Sequence, residues 1–279
     1  MIPWFDLDKH MPTLFHLSGH PVGIHFFGIL VASGILIGAK LTTLRGRQLG
    51  LRDDMVAQMI TWSLVPGFLF AHIFDVIAYR TAGGNPSLLD YINVFAGISS
   101  FGGFIGAVAG MVCWAKSHRQ PIMPYADSLA FGLAAGWLFG RLGCFTAHDH
   151  PGRLTTFFLS THYPTGQRHD LGFDEAMWAL LITTVFLLLF RKNRPLGLYV
   201  TLLTLAYAPV RFALDFLRAT DIPGSSDARY FGLTPAQYCC IAVLFAGSGL
   251  LLFTVRHARA QATPAAAPQN PQNAWKKSR

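Results

Sequence analysis

Charge is what this sequence has least of. Aspartate, glutamate, lysine and arginine make up 13% of its 279 residues, against about 25% in an ordinary soluble domain. Hydrophobic residues account for 52%, and the mean hydropathy is +0.39. That excludes an ordinary water-soluble chain and points to a polytopic membrane protein. The 23 phenylalanines suit helices that face lipid. Cysteine is scarce too: Cys113, Cys144, Cys239 and Cys240 all fall in apolar runs, which excludes a disulfide framework. There is no Gly-rich nucleotide loop, no Ser-centred elbow and no Cys-x-x-Cys pair. No internal repeat is evident, which argues against a secondary transporter built from inverted halves. The opening "MIPWFDLDKHMPTLFHLSGHP" has acids and prolines where a cleavable signal peptide needs a basic start and an apolar core.

What is present is a series of apolar runs. A bilayer core needs about 20 apolar residues in a helix. Seven runs qualify, at roughly 22–42, 58–79, 94–115, 128–145, 176–190, 196–217 and 237–254. The fifth is short and is expected to extend upstream into "LGFDE". With the N-terminus outside, the inside connections carry 13 lysines and arginines in 57 positions and the outside ones 6 in 84. The net charge of +8 therefore reports membrane topology, not a nucleic-acid partner. The expected fold is an all-α integral membrane protein with seven transmembrane helices, its N-terminus periplasmic and its C-terminus cytoplasmic. Residues 1–21 form an outer segment, 22–254 the helical domain, and 255–279, rich in Ala, Pro and Gln, a disordered basic tail. The outer connection 146–175 is long enough to be a lid, with Phe157, Phe158 and Tyr163 available to anchor it at the interface.

"GRLGCFTAHDHPGR", Gly140 to Arg153, puts Arg141 inside an apolar run. A charge there costs several kcal/mol unless it meets a partner. In "LAYAPVRFALDFLR", Tyr207, Arg211 and Asp215 follow i, i+4, i+8 and share a helix face. His25, His72, Asp75 and "SSFGGFIG" fall at the same ends of their runs. Every unusual intramembrane polar group is thereby expected in the outer half of the bilayer, around one cavity. Two arginines there suit a phosphate, whose oxygens match the guanidinium fork. Other readings stay open: Arg211 bridging only to Asp215, Arg141 snorkelling to the surface, Tyr207 as packing. Gly102, Gly103 and Gly106 fit either helix contact or close approach of a lipid. "HDH", His148 to His150, lacks helical ligand spacing and a clear third ligand, so no metal and no cofactor are expected. A general base is the alternative use of these histidines.

The chain resembles the prolipoprotein diacylglyceryl transferase family over about 20–255. "GIHFFGILVASGILIG" is similar to that family's opening helix with its His25-type start, and "SFGGFIG" to its Gly-Gly-x-Ile-Gly signature. "GRLGCF" resembles its Gly-Arg-hydrophobic-Gly-Asn-Phe signature and "RHDLGFDE" its Arg-His-Pro-x-Gln-x-Tyr-Glu stretch. "YAPVRFALDFLR" and "FGLTPAQ" resemble its last two motifs. The resemblance implies transfer of a diacylglyceryl group from phosphatidylglycerol to the cysteine thiol of a prolipoprotein signal peptide in the bacterial inner membrane, with glycerol phosphate leaving. Its partners are then phosphatidylglycerol, signal peptides and membrane lipids. It implies that Arg141 and Arg211 hold the phosphate and Tyr207 assists. It further implies that His25, Gly102, Gly103, Gly106, Cys144 and Arg218 contact substrate, with Arg218 at the pocket mouth.

This chain departs from the pattern in its proton-handling half. Phe101 stands where the family has a histidine before Gly-Gly. Cys144 replaces Asn, and Ala147-His148-Asp149 replaces Asn-Gly-Glu. Phe70-Ala71-His72 replaces Gly-Gly-Arg. Asp170, Gly172 and Asp174 replace Pro, Gln and Tyr. His148 or His150 is the expected replacement base, with Asp149 standing in for the lost Glu. Two other functions fit the same residues. One is a relative that binds phospholipid or lipopeptide without this chemistry or acts on another headgroup, which Phe101 favours. The other is a lipid transporter with the arginines as its port.

Overall fold

A computed structural model describes residues 1–7, 11–17, 20–80, 87, 91, 97–192, 194–222 and 227–262. Among the described residues there are seven long helices: α1 (Phe26–Gln48), α2 (Asp53–Asp75), α3 (Ser100–Ser117), α4 (Ile122–Ala147), α5 (Leu171–Phe190), α6 (Leu198–Leu214) and α7 (Pro235–Ala262). Six are long and apolar enough to cross a membrane. The exception is α3, which has 18 residues diluted by Gly102, Gly103, Gly106 and Gly110. The architecture is that of a multi-pass integral membrane protein.

One helix end meets expectation and another differs. Helix α5 starts at Leu171, so the fifth run does extend upstream through "LGFDE"; the Asp170 carboxylate accepts a hydrogen bond from Phe173 N at 3.2 Å and caps it there. Helix α7 continues to Ala262, so 255–262 are helical and not part of a disordered tail. The remaining tail, 263–279, lies outside the described residues, as does most of the connection 80–93.

Glycine sets the closest helix contacts. Gly34 and Gly38 of α1 meet Gly132 and Gly136 of α4, and a Cβ on Gly38 would stand 3.1 Å from the Gly132 carbonyl oxygen. Gly102, Gly106 and Gly110 of α3 lie against the carbonyls of Phe70, Pro66 and Trp62 on α2. In lipid, such small residues let backbones approach and gain dispersion energy where no hydrophobic force between helices exists.

Polar groups are not confined to one end of the bundle. Arg45 and Asp127 are both fully buried and pair at 2.8 Å. Along α4, Asp127 is 14 residues from Arg141, or about 21 Å at 1.5 Å per residue. By sequence Arg45 counts among the charges of an inside connection; here it is a buried residue of α1. Asp127 also accepts from Tyr199 N at 2.8 Å and Val200 N at 3.3 Å, and Arg45 lies over the Tyr199 ring. The carboxylate therefore ties α1, α4 and the start of α6 together.

The connection between α4 and α5 is a small sheet, not an open loop. Its strands are β3 (Pro151–Leu154), β4 (Thr161–Tyr163) and β5 (Gly166–Asp170), with β5 central and both pairings antiparallel. Before α1 lies a hairpin of β1 (Thr13–Leu17) and β2 (His20–Gly23). Near the chain start, Ile2 bridges to Thr161. The buried Arg168 of β5 donates to Gly152 O at 3.2 Å and to both Asp221 oxygens at 2.9 and 2.5 Å. The sheet is thus latched to the segment after α6.

Candidate active site

Helices α4, α5 and α6 bring Arg141, Glu175 and Arg211 together. Arg141 Nε lies 2.9 Å from Glu175 Oε2, and Arg211 Nε lies 3.3 Å from Glu175 Oε1. Arg211 Nη1 reaches Asp215 Oδ1 at 2.5 Å, as the i, i+4 spacing predicts. Arg218 Nε lies 3.1 Å from Asp215 and 2.8 Å from Asp227, and Thr234 donates to Asp215 from the start of α7. Three arginines and three carboxylates balance in charge, and Arg141, Arg211, Glu175 and Asp215 are nearly or fully buried.

Glu175 is the residue the sequence reading missed. A signal was there, since it is the only glutamate among 14 acidic residues. Its longer arm reaches between two guanidinium groups on different helices. Both of its oxygens, Arg211 Nε and the Tyr207 hydroxyl are buried without hydrogen-bond geometry to any partner among the described residues. Such unsatisfied groups are costly in a protein interior and mark places where a ligand belongs.

Two apolar cavities meet at this cluster. The larger, about 360 Å³, lies between α1, α2, α3 and α4 and ends at Arg141, Cys144, Asp149 and His150. The smaller, about 210 Å³, is enclosed by α3 to α7 and ends at Glu175, Tyr207 and Arg211. Phe104 and Trp137 line both and form the wall between them. The Arg141 guanidinium sits 4.7 Å over the Trp137 ring, and its Nη1 lies 3.8 Å from Cys144 Sγ.

The other expected residues separate into groups. Gly103 lines the larger cavity, but Gly102 and Gly106 belong to the α2–α3 contact, where a Cβ would strike backbone. His25 is exposed at the N-cap position of α1 and does not line either cavity. Arg218 joins the cluster and pairs through its backbone with Gly152 of β3. Phe101 is buried in an aromatic group with Phe104 and Tyr207 at 6.0 and 6.4 Å between ring centres.

His148 is buried with both ring nitrogens engaged: Nδ1 with Asp170 Oδ2 at 2.9 Å, Nε2 with Phe5 O at 3.1 Å. Trp4 stacks on it, and Tyr163 donates to the same Asp170 oxygen at 2.8 Å. His148 is also the C-cap of α4, in the left-handed region at φ 49°. It holds the turn that sends the chain back over the helix end, and that turn delivers Asp149 and His150 to the cavity. There, partial loss of water pushes Asp149, whose side chain stays 42% exposed, up to about 6, against the opposing pull of Arg141. Burial first, then the Arg218 and Arg141 charges, hold His150 well below the usual histidine range, so its imidazole is neutral.

Apolar cavities that end on buried guanidinium groups define a membrane-embedded protein for an anionic lipid. The chain belongs to the prolipoprotein diacylglyceryl transferase family, which it matches over residues 12–253. The phosphatidylglycerol–prolipoprotein diacylglyceryl transferase of Staphylococcus carnosus is 26% identical over 256 residues, covering 87% of this chain and 90% of that one. The enzyme of the same name from Chlorobaculum tepidum is 24% identical over 277 residues, covering 91% and 94%. That of Deinococcus radiodurans is 34% identical over 160 residues, covering 55% and 46%.

Proposed function

We propose that this protein transfers the diacylglyceryl group of phosphatidylglycerol to the cysteine thiol of a prolipoprotein signal peptide. It works in the bacterial inner membrane with seven spans, its N-terminus periplasmic and its C-terminus cytoplasmic. The observation that carries the reading is Glu175 between Arg141 and Arg211 at the meeting point of two apolar cavities.

The lipid tails occupy apolar volume and the phosphate lies against Arg141 and Arg211. The acceptor sulfur's electron pair forms a bond to the glyceryl carbon. The carbon–oxygen bond to phosphate breaks, its pair stays on oxygen, and glycerol phosphate leaves. Cations fixed at the departing oxygens stabilise the charge that develops there. Glu175 holds both guanidinium groups in register before the lipid arrives, and the unsatisfied Tyr207 hydroxyl supplies a further donor. Thiol activation falls to the Asp149–His150 pair beside Arg141, because Phe101 is apolar and both nitrogens of His148 are committed to the turn.

The test is direct. Purified protein in detergent receives phosphatidylglycerol and a synthetic peptide with a lipobox cysteine, and mass spectrometry follows the diacylglyceryl mass. Arg141→Ala and Arg211→Ala are each expected to abolish transfer while the protein still inserts. Retained transfer in both overturns the assigned roles.

A further inference from the structure

The turn at His148 creates a constellation that sequence spacing hides. Cys144 lies in the last turn of α4. Asp149 and His150 follow the helix, fold back, and bring a carboxylate oxygen and a ring nitrogen toward the Cys144 sulfur. The three donor atoms all lie within 4.8 Å of one another. His150 Nδ1 is 3.1 Å from Asp149 Oδ1, yet is buried with no hydrogen-bond partner among the described residues. All three side chains line the larger cavity, next to Arg141. The third ligand that "HDH" lacks in sequence is therefore supplied by the preceding helix.

We propose that Cys144, Asp149 and His150 form a zinc site with its fourth position open to the cavity, where the acceptor thiol binds as a thiolate. This deepens the transferase reading and rests on it.

The donor set fits the ion. Zinc takes sulfur, nitrogen and oxygen ligands at about 2.0–2.3 Å in a tetrahedron, and catalytic zinc keeps three protein ligands and one open position. Ligand atoms around such an ion stand about 3.3–3.7 Å apart by that geometry. The Asp149–His150 pair is already at that scale, and side-chain rotation closes the rest. Charge balances locally: the thiolate and carboxylate neutralise Zn²⁺, and Glu175 neutralises Arg141 at 2.9 Å. Three surrounding features favour a fixed site. His148 is pinned by Asp170, Phe5 O and Trp4, so the turn is rigid. Arg141 Nη1 lies 3.8 Å from Cys144 Sγ and fixes the sulfur beside the cavity. The cavity gives the ion a path in.

The chemistry answers the loss at Phe101. A thiol that binds zinc is deprotonated outright, so no strong base is needed beside it. Its proton passes to water or to the departing glycerol phosphate. The zinc-bound sulfur then uses an electron pair to attack the glyceryl carbon, and the carbon–oxygen bond breaks toward phosphate held by Arg141 and Arg211. Zinc changes no oxidation state, so the balance is that of the simple substitution. Arg141 sits between the two halves, with the sulfur on one side and Glu175 on the other.

The experiment uses the full chain in detergent, reduced and stripped with a chelator, then titrated with Co²⁺ as an optical probe. One Co²⁺ per chain should give thiolate-to-cobalt charge-transfer absorption and tetrahedral d–d bands, both displaced by Zn²⁺. Cys144→Asn should abolish the charge-transfer band, although Cys113, Cys239 and Cys240 remain. His150→Ala should weaken binding by more than about 100-fold, since even outer-shell changes at metal sites cost about 10–100-fold. Unchanged elution and melting of Asp149→Asn guard against a folding artefact. No thiolate band, or a band that survives Cys144→Asn, overturns the site. Transfer by the stripped protein should fall at least tenfold and return with Zn²⁺. Full transfer after stripping, with Co²⁺ still binding at Cys144, overturns the metal's part in the chemistry and leaves His150 as a base. Binding as expected with no transfer under any condition keeps the site and sinks the transferase reading.

Discussion

The bundle buries two sets of ion pairs, one near each end of α4, and they are built to different standards. At one end Asp127 spends both oxygens: Oδ2 on Arg45, Oδ1 on the backbone of Tyr199 and Val200. At the other end Glu175 faces two arginines at ion-pair distance but satisfies neither oxygen with hydrogen-bond geometry, and a tyrosine hydroxyl beside it is orphaned. The first set is closed and lines neither cavity; the second opens onto two. A buried pair whose donors and acceptors are all matched ties helices together. One left half-matched has donors and acceptors to offer a ligand. The difference separates structure from chemistry among residues of the same type and burial.

Substitutions can break this contrast. The largest loss of stability is expected at the closed pair. Asp127→Ala strands a buried arginine and should cost about 3–5 kcal/mol, seen as a lower melting temperature, while transfer per folded molecule is unchanged. Loss of transfer in protein that is still folded would erase the distinction between the two ends. At the open cluster, Glu175→Gln should lower the transfer rate about 100-fold, in the range for removing one preorganised electrostatic contact, with a smaller shift in melting. A rate within about twofold of the parent would show that the arginines need no organiser. Tyr207→Phe removes an unpaired hydroxyl. It should slow transfer about tenfold, the lower range for a positioned donor, and leave stability unchanged or slightly raised, since no hydrogen bond is lost. The smallest effect belongs to the latch. Asp221 is half exposed and Arg168 keeps Thr165 Oγ1 and Gly152 O as acceptors, so Asp221→Ala should cost no more than about 1 kcal/mol. A larger loss would mean that the sheet's attachment carries more of the fold than its exposed partner indicates.

Much of this was legible before the structure, and the residues say why. The apolar runs gave the helices because each span must satisfy its own backbone in lipid. Arg141 and Arg211 were visible as charges out of place, and Asp215 as a partner one turn away. Glu175 and Asp127 were not, because their partners lie on other helices: Arg45 and Asp127 are 82 residues apart. The strands of 151–170 escaped because they are short and lack clear alternation. The stretch "HDH" divides within itself. All three residues are adjacent in sequence, but the left-handed turn at His148 sends that side chain into the lid and its two neighbours into the cavity. Backbone handedness, which the letters do not carry, made that choice.

The glycine seams have a mechanical consequence. They join α1 to α4 and α2 to α3 backbone against backbone, so each pair behaves as a stiff leaf. Between the leaves contact is sparse, and the larger cavity runs along that gutter. On the proposed function, a two-tailed lipid arriving sideways from the bilayer would meet the bundle along that thin line and leave both seams closed. A single β-carbon at Gly38 or Gly132 would wedge a binding joint and change the swing of the leaf before it changed anything at the arginines.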